Sequence, residues 1–451
     1  MVKCIIKQVV KRDGSIVPFD QERIAEAIYR AAVEVGGRDK ELAQEVSNDV
    51  VRLMNKSMKL DEVPHVEEIN DFVEKVLIER GHARTSKAFI LARTDKLAYG
   101  TKSRQKVVFE DAELIPYKKI WNVLVWNLTR RVETLAKVNE IVSNHDAFVN
   151  LITDCEVAYQ NDVDAAAQKV IERKDDVKVV IIGGPSSSGK TTTTIKLEER
   201  LKEADLSLVA VNVDNYFFDL EMHPKDEFGD YDFETPQAID MQLFNQHLKE
   251  LVEGKEVETP IYDFKQGIRL PDKTETMQIS PEDIILIDCL HGFYPALTSG
   301  IEDEKKFNLY IESLAQQRDS TGYFVRWADI RLLRRSVRDM QFRKYSPEMT
   351  LTHWHYVRRS ELRHIIPYNP VADHIINGAL AYELPIHKHF LGHYFPEFVE
   401  KYRGDTRRVD AFIRAERILK LFDEVEPWDD IDIIPKTALI REYIGGSSYE
   451  Y

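Results

Sequence analysis

Cysteine is scarce: the 451-residue chain has three, Cys4, Cys155 and Cys289, far apart and in no Cys-x-x-Cys pair. That excludes a disulfide scaffold and a cysteine-based zinc site, and it suits a reducing compartment. No apolar run approaches the roughly 18 residues that span a bilayer. The opening MVKCIIKQVVKRDG lacks the continuous apolar stretch of a secretory signal. Glycine (19) and proline (17) are too few for a fibrous or linker protein. Positive charge is also in deficit. Against 77 Asp and Glu stand 62 Lys and Arg, a formal net charge of −15, so the whole-chain footprint of a nucleic-acid binder is missing. What is present is 43% hydrophobic and 31% charged residues, enough to build real cores. The expectation is an acidic, cytoplasmic, multi-domain protein with no membrane and no nucleic-acid partner.

Residues 1–97 read as a hairpin followed by helices. Residues 4–10 predict a strand, Lys11, Arg12, Asp13 and Gly14 a turn, and residues 16–19 the return strand. Asp20 is a candidate N-cap for a helix carrying Ile24, Ala27, Ile28 and Ala31. Further helices are expected over 40–54, after Pro64 and over 84–97. Residues 98–176 read as a helical connector with Trp121 and Trp126 buried. From 177 to 382, apolar runs at 177–182, 208–213 and 284–287 alternate with helical stretches, the pattern of an α/β fold with a parallel sheet. Residues 383–451 follow as a helical C-terminal segment.

Gly184, Pro185, Ser186, Ser187, Ser188, Gly189, Lys190 and Thr191 fit GxxxxGK[ST] once, between an apolar strand and a helix. Such a loop wraps backbone N–H groups around a phosphate at the positive end of a helix. Lys190 then reaches the β- and γ-phosphates, the Thr191 hydroxyl ligates Mg²⁺, and Thr192 extends the cradle. The motif by itself specifies a nucleoside triphosphate with Mg²⁺. Asp214 follows the next strand, where an acid can take the proton of an attacking hydroxyl. Asp288 ends the run IILID and is a candidate second Mg²⁺ ligand. Between Arg326 and Arg363 ten basic residues meet four acids, a local balance of +6. Arg331, Arg334, Arg335 and Arg338 recur at helical spacing, as a lid over transferring phosphate requires. Arg335, Arg338 and Arg343 are the candidates for phosphate contact, Arg338 with a catalytic part. A solvated basic helix face is the alternative. His387, His389 and His393 have no acid partner nearby in sequence and are not read as a metal site.

The motifs in 177–382 resemble those of the uridine kinase/phosphoribulokinase group of P-loop kinases. Asp214-Asn-Tyr216-Phe is similar to the group's segment whose first Asp is the catalytic base. The stretch from Tyr231 to Asp240, Pro260-Ile-Tyr262-Asp-Phe with Arg269, and Ile287-Asp288-Cys-Leu-His291-Gly match three further motifs in order. The resemblance implies Mg²⁺-dependent phosphate transfer from ATP to a hydroxyl of a nucleoside. Tyr216, Glu234, Tyr262, Arg269 and His291 would form the acceptor site. Glu234 stands where nucleoside-specific members carry Asp, and Gly267 where some uridine kinases carry a base-reading His. A phosphosugar acceptor, as in phosphoribulokinase, and a nucleotide-sensing regulatory ATPase remain open.

Residues 3–95 resemble the ATP-cone regulatory domain, on Val9-Val-Lys11-Arg12-Asp-Gly, Phe19-Asp20, Arg23-Ile24 and the later helix pattern. This implies a regulatory nucleotide, ATP or dATP, held by Val9, Lys11, Arg12 and Arg23, and control through a change of homo-oligomer.

Overall fold

A computed structural model of the chain describes residues 4–10, 16–33, 39–58, 63–82, 85–86, 89, 115–223, 234–280, 282–405 and 407–450. The chain forms two compact units, residues 1–112 with 225–231, and residues 113–224 with 232–451.

In the first unit β1 (Gln8–Val10) pairs antiparallel with β2 (Ile16–Pro18), Val9 opposite Val17. Three amphipathic helices follow: α1 (Gln21–Val33), α2 (Lys40–Ser57) and α3 (Val66–Glu79). Asp39 starts α2 by accepting from the Leu42 amide at 2.9 Å. Ile28 of α1, Val50 and Met54 of α2, Val73 and Leu77 of α3 and Val9 close one core. The expected hairpin and first three helices form, with a shorter first strand. The turn residues Lys11, Arg12, Asp13 and Gly14 and most of the expected fourth helix lie outside the described residues.

The second unit opens with α4 (Tyr117–Arg130), α5 (Leu135–Val142) and α6 (His145–Glu172). Then comes β3 (Val179–Gly183), buried along its length, and α7 (Lys190–Glu203). The sheet order is β4 (Leu208–Ala210), β7 (Ile284–Asp288), β3, β8 (Lys306–Glu312), β9 (His374–Asn377), with every neighbour parallel. Side chains alternate across β3: Val180 and Ile182 enter one core, Val179 and Ile181 the other. Both faces are covered, as a parallel sheet demands. An antiparallel hairpin of β5 (Val257–Asp263) and β6 (Ile268–Met277) follows α8 (Met241–Val252). After β8 come α9 (Trp327–Arg338) and α10 (Pro347–His364). Past β9 the chain ends in α11 (Glu383–Leu391), α12 (Tyr394–Tyr402), α13 (Val409–Asp423) and the single turn α14 (Arg441–Ile444).

The expected divisions at 176 and 382 do not separate cores. Val138, Phe148, Val163 and Val170 from the segment before β3 share one cluster with Ile182 and Leu197, and so do Leu439, Ile440 and Tyr443 from the tail. The reading of the tryptophans needs correction. Trp121 is 63% exposed and Trp126 only half-buried, because Asn127 is the one residue of α4 that is buried. Among the described residues no helix is long and apolar enough to cross a membrane.

If the segment before β3 is a wall of the sheet's core, Phe148→Ala should cost about 3–5 kcal/mol in urea-induced unfolding. A change near zero would mark that segment as a mere spacer.

Candidate active site at the carboxyl edge of the sheet

The GxxxxGK[ST] segment joins the end of β3 to the start of α7, as its sequence context requires. Gly189 precedes α7 with φ +104°, and a Cβ there would fall 2.5 Å from Leu439 Cδ1, so only glycine fits. Ser187 also takes a left-handed conformation, φ +59°. The Ser187 and Ser188 hydroxyls are buried without a hydrogen-bond partner. Lys190 folds back, donating to the carbonyls of Gly184 at 3.1 Å and Pro185 at 3.2 Å. Burial pulls its ammonium below the ordinary range, and the charges of Asp288 and Glu442 oppose that shift. Thr191 is half-buried in the first turn of α7. Thr192 is buried, and its amide and hydroxyl both donate to Glu442, at 3.1 and 2.7 Å.

The arginine-rich helix divides in a way helical spacing does not reveal. Arg331 and Arg334 are 1% and 0% exposed and hold the loop from behind. Arg331 Nη1 donates to the Ser186 carbonyl at 3.1 Å. Its guanidinium pairs with Glu361 and, at 2.8 Å, with Glu312. Arg334 donates to the carbonyls of Ser188 at 3.3 Å and Gly378 at 2.5 Å and pairs with Glu383 at 2.6 Å. These two arginines, with Glu312, Glu361 and Glu383, are positioning residues that sequence reasoning missed, since two of the acids lie outside the basic stretch.

The three candidate phosphate arginines gather on one buried carboxylate. Arg335, Arg338 and Arg343 pair with Asp339 at 3.4, 4.0 and 3.5 Å. Arg335 also bridges Ser186 Oγ at 3.2 Å and Glu234 Oε1 at 3.3 Å, so Glu234 and the phosphate loop share a cation. Arg338 is close enough to Lys190 to depress its ammonium further.

Two of the predicted acids converge on Lys190. Asp288 ends β7 in register with Ile182. Burial pushes its carboxyl up to about 6; the Lys190 charge opposes this, while Glu442 and Asp214 add to it. Asp214 sits on a single turn after β4, Val213–Tyr216, whose start Asn212 caps by accepting from the Asp214 amide at 3.0 Å. Its carboxyl is raised by desolvation, again opposed by Lys190.

The five residues expected on the acceptor side differ in what they touch. Glu234 is half-buried beside Arg335. Tyr262 sits in an aromatic cluster, its ring 5.7 Å from Phe217 and 5.0 Å from Phe264, and its amide donates to Asn215 Oδ1 at 3.3 Å. His291 is buried; desolvation and nearby His364 push its imidazole down to about 3, so it is neutral. Tyr216 is instead a core residue, 1% exposed, its hydroxyl 3.0 Å from His247 Nδ1 and its ring edge-on to Phe244. The Arg269 guanidinium is engaged with Asp240 at 3.2 Å and the carbonyls of Tyr216 at 2.9 Å and Phe217 at 3.2 Å. It braces the turn that carries Asp214. Gly267 closes the β5–β6 hairpin at φ +69°, where a Cβ would lie 3.0 Å from Leu220. A histidine at that position would be strained by the backbone conformation and crowded by Leu220.

In the first unit, Val9 contributes its side chain to the core, and Arg23 is exposed and 3.5 Å from Asp20. The expected nucleotide ligands Lys11 and Arg12 lie outside the described residues. Contrary to the expectation of no acid nearby, His387 has a partner four residues back, bonding to Glu383 at 3.3 Å; no group of three or more His, Cys, Asp or Glu among the described residues is arranged to hold a metal.

Glu383→Ala leaves Arg334 buried and unpaired and should cost about 3–5 kcal/mol in chemical denaturation. Asp288 gives the opposite sign. Its folded carboxyl titrates near 6, above the unfolded value, so the folded state binds more protons between about pH 4 and 6 and loses stability as pH rises through that window. Metal-free Asp288→Asn should therefore unfold later than wild type at pH 7.5, by on the order of 2 kcal/mol. The gap should close toward pH 4.

Residues 179–381 match the model of the Phosphoribulokinase / Uridine kinase family, and residues 7–97 that of the ATP cone domain. A uridine kinase of Brevibacillus brevis is 32% identical over 200 residues, 44% of this chain and 84% of that protein. Uridine-cytidine kinase B of Dictyostelium discoideum is 28% identical over 199 residues, 44% of this chain and 73% of that protein. Among solved structures, D-glycerate 3-kinase from Cryptococcus neoformans aligns at TM-score 0.25 and 13% identity over 64% of this chain and 90% of that one. With motifs, site and relatives in agreement, the chain belongs to the phosphoribulokinase/uridine kinase family, joined here to an ATP cone domain.

Proposed function

We propose that this protein is a kinase that transfers the γ-phosphate of ATP to a hydroxyl of a nucleoside of the uridine or cytidine kind. The observation that carries this reading is the meeting of Lys190, Asp214 and Asp288 at the mouth of the phosphate loop. Lys190 leaves the carbonyls of Gly184 and Pro185 to hold the β- and γ-phosphates. Asp214, which the Asn212-capped turn presents, accepts the proton of the attacking hydroxyl. Arg335, Arg338 and Arg343, gathered on Asp339, neutralise charge on the transferring group. Glu234 and Tyr262 hold the acceptor, with His291 as a neutral hydrogen-bonding wall.

The residues present fit Mg²⁺. Asp288 is a carboxylate whose pKa burial raises, against the charge of Lys190 and with Glu442 and Asp214 adding to it, so a cation would relieve it, and the Thr191 hydroxyl in the first turn of α7 is a second hard oxygen. When bound there, the ion would supply positive charge that offsets the charge of the phosphates.

Similarity to the uridine kinases favours a nucleoside acceptor. A phosphosugar acceptor loses its main support, because Arg269 is already occupied by Asp240 and two carbonyls. The ATP cone domain takes a regulatory nucleotide, ATP or dATP, at Lys11, Arg12, Arg23 and the backbone of Val9, and acts through homo-oligomer exchange.

Asp214→Asn should keep ATP affinity while kcat falls by about 10²–10⁴. Normal turnover would remove Asp214 from the role of base. Labelled ATP offered with a panel of nucleosides and sugar phosphates should mark uridine or cytidine. Labelling of a sugar phosphate alone would replace the acceptor, and no labelling with any acceptor would favour a nucleotide sensor.

A further inference from the structure

The phosphate loop is engaged by a residue that no motif contains. In α7 the Thr192 amide stands in the first turn, where helix N–H groups have no partner inside the helix and turn toward an anion. Both its amide and its hydroxyl donate to one oxygen, Oε2 of Glu442, at 3.1 and 2.7 Å. In a loop of this kind the backbone donors cradle the inner phosphates while the lysine reaches outward. A carboxylate on Thr192 therefore stands where an inner phosphate oxygen of a nucleotide belongs.

Glu442 is held there by the tail. Leu439, Ile440 and Tyr443 are fully buried. Arg441 ties the turn down by donating to the carbonyls of Ile431 at 2.8 Å, Ile434 at 2.7 Å and Gly445 at 3.1 Å. Leu439 packs against Gly189, and its amide donates to Glu156 at 3.3 Å. The Glu442 charge reaches Lys190, Asp288 and Arg334. Thr192 cannot give the same two hydrogens to a carboxylate and a phosphate, and the two anions repel at contact distance.

We propose that Glu442 is a resident competitor of the nucleotide, a gating residue whose carboxylate must leave Thr192 before an inner phosphate can dock. The proposal rests on reading the loop as the ATP site. Because the backbone of α14 is buried and tied, the gate opens by rotation of the Glu442 side chain and not by departure of the tail. The swung-out carboxylate remains within the field of Lys190 and Arg334. Glu442 thus lowers affinity for nucleotide.

The test is calorimetric titration of ATP and ADP into wild type, Glu442→Gln and Glu442→Ala, with thermal unfolding of each. Glu442→Gln keeps the shape of the side chain and guards against a folding defect in the alanine variant. The expected result is ATP binding at least tenfold tighter in one or both variants, together with a lower unfolding temperature of the nucleotide-free protein. A residue that merely braces α7 would lower the unfolding temperature and leave ATP affinity equal or weaker. That outcome, with wild type binding ATP measurably, overturns the gate and leaves the kinase reading standing. Absence of ATP binding in all three proteins overturns both.

Discussion

A loop that turns its amides toward a phosphate must turn its carbonyls toward the protein, where they need donors of their own. In this chain the donors are the buried guanidiniums of Arg331 and Arg334, set against the carbonyls of Ser186 and Ser188. A buried guanidinium is itself costly without a carboxylate, so Glu312 and Glu361 close around Arg331 and Glu383 around Arg334. Glu383 also accepts from the Leu380 amide at 2.9 Å, which fixes the turn after β9. The consequence reaches back to the sheet. Glu312 ends β8, the neighbour of β3, and Glu383 follows β9, one strand further out, so the loop after β3 is held by acids delivered from two strand ends on one side of it.

This arrangement changes what α9 is. A basic helix over a phosphate site suggests a cover that swings, but the first two turns of α9 belong to the floor beneath the loop. Its last turn, with Arg335 and Arg338, and the following Arg343 carry cations that gather on Asp339 and not on loop carbonyls. The local excess of positive charge therefore has two separate uses. Part of it is cancelled by acids from elsewhere in the chain, and part is collected on Asp339.

Much of the site was legible in the sequence because its parts are local. The strand–loop–helix around Lys190, the acid ending IILID and the acid after the next strand each declare themselves within a few residues. What stayed hidden depends on distant partners. Tyr216 and Arg269 sit in family-like motifs, yet their side chains brace the Asp214 turn from within, through His247 and Asp240. Helical periodicity could not separate Arg334 from Arg335, since adjacent residues differ only in which neighbour they face. Trp121 reads as core by composition, while α4 is peripheral. The tail gave no local sign of Glu442, which meets Thr192 across 250 residues. The segment before β3 looked like a connector because its apolar stripe does not name the surface it covers.

The acids around Lys190 make an electrostatic system whose members differ in what relieves them. Asp288 is raised to about 6 by burial and is relieved by a cation. Glu442 is satisfied by Thr192 and gives way to a phosphate. Asp214, exposed on its turn, has its carboxyl raised by desolvation and held back by the charge of Lys190. If Lys190 turns from the carbonyls of Gly184 and Pro185 to phosphate oxygens, its charge is matched there and its restraint on Asp214 weakens. The Asp214 carboxyl then moves further up, toward the range in which a base takes a proton from a hydroxyl more readily. On this reading, filling the phosphate loop and strengthening the base are one event. Both acids stand at the carboxyl edge of the sheet, Asp288 at the end of β7 beside β3 and Asp214 after β4 one strand further out, which is what lets a single lysine couple them.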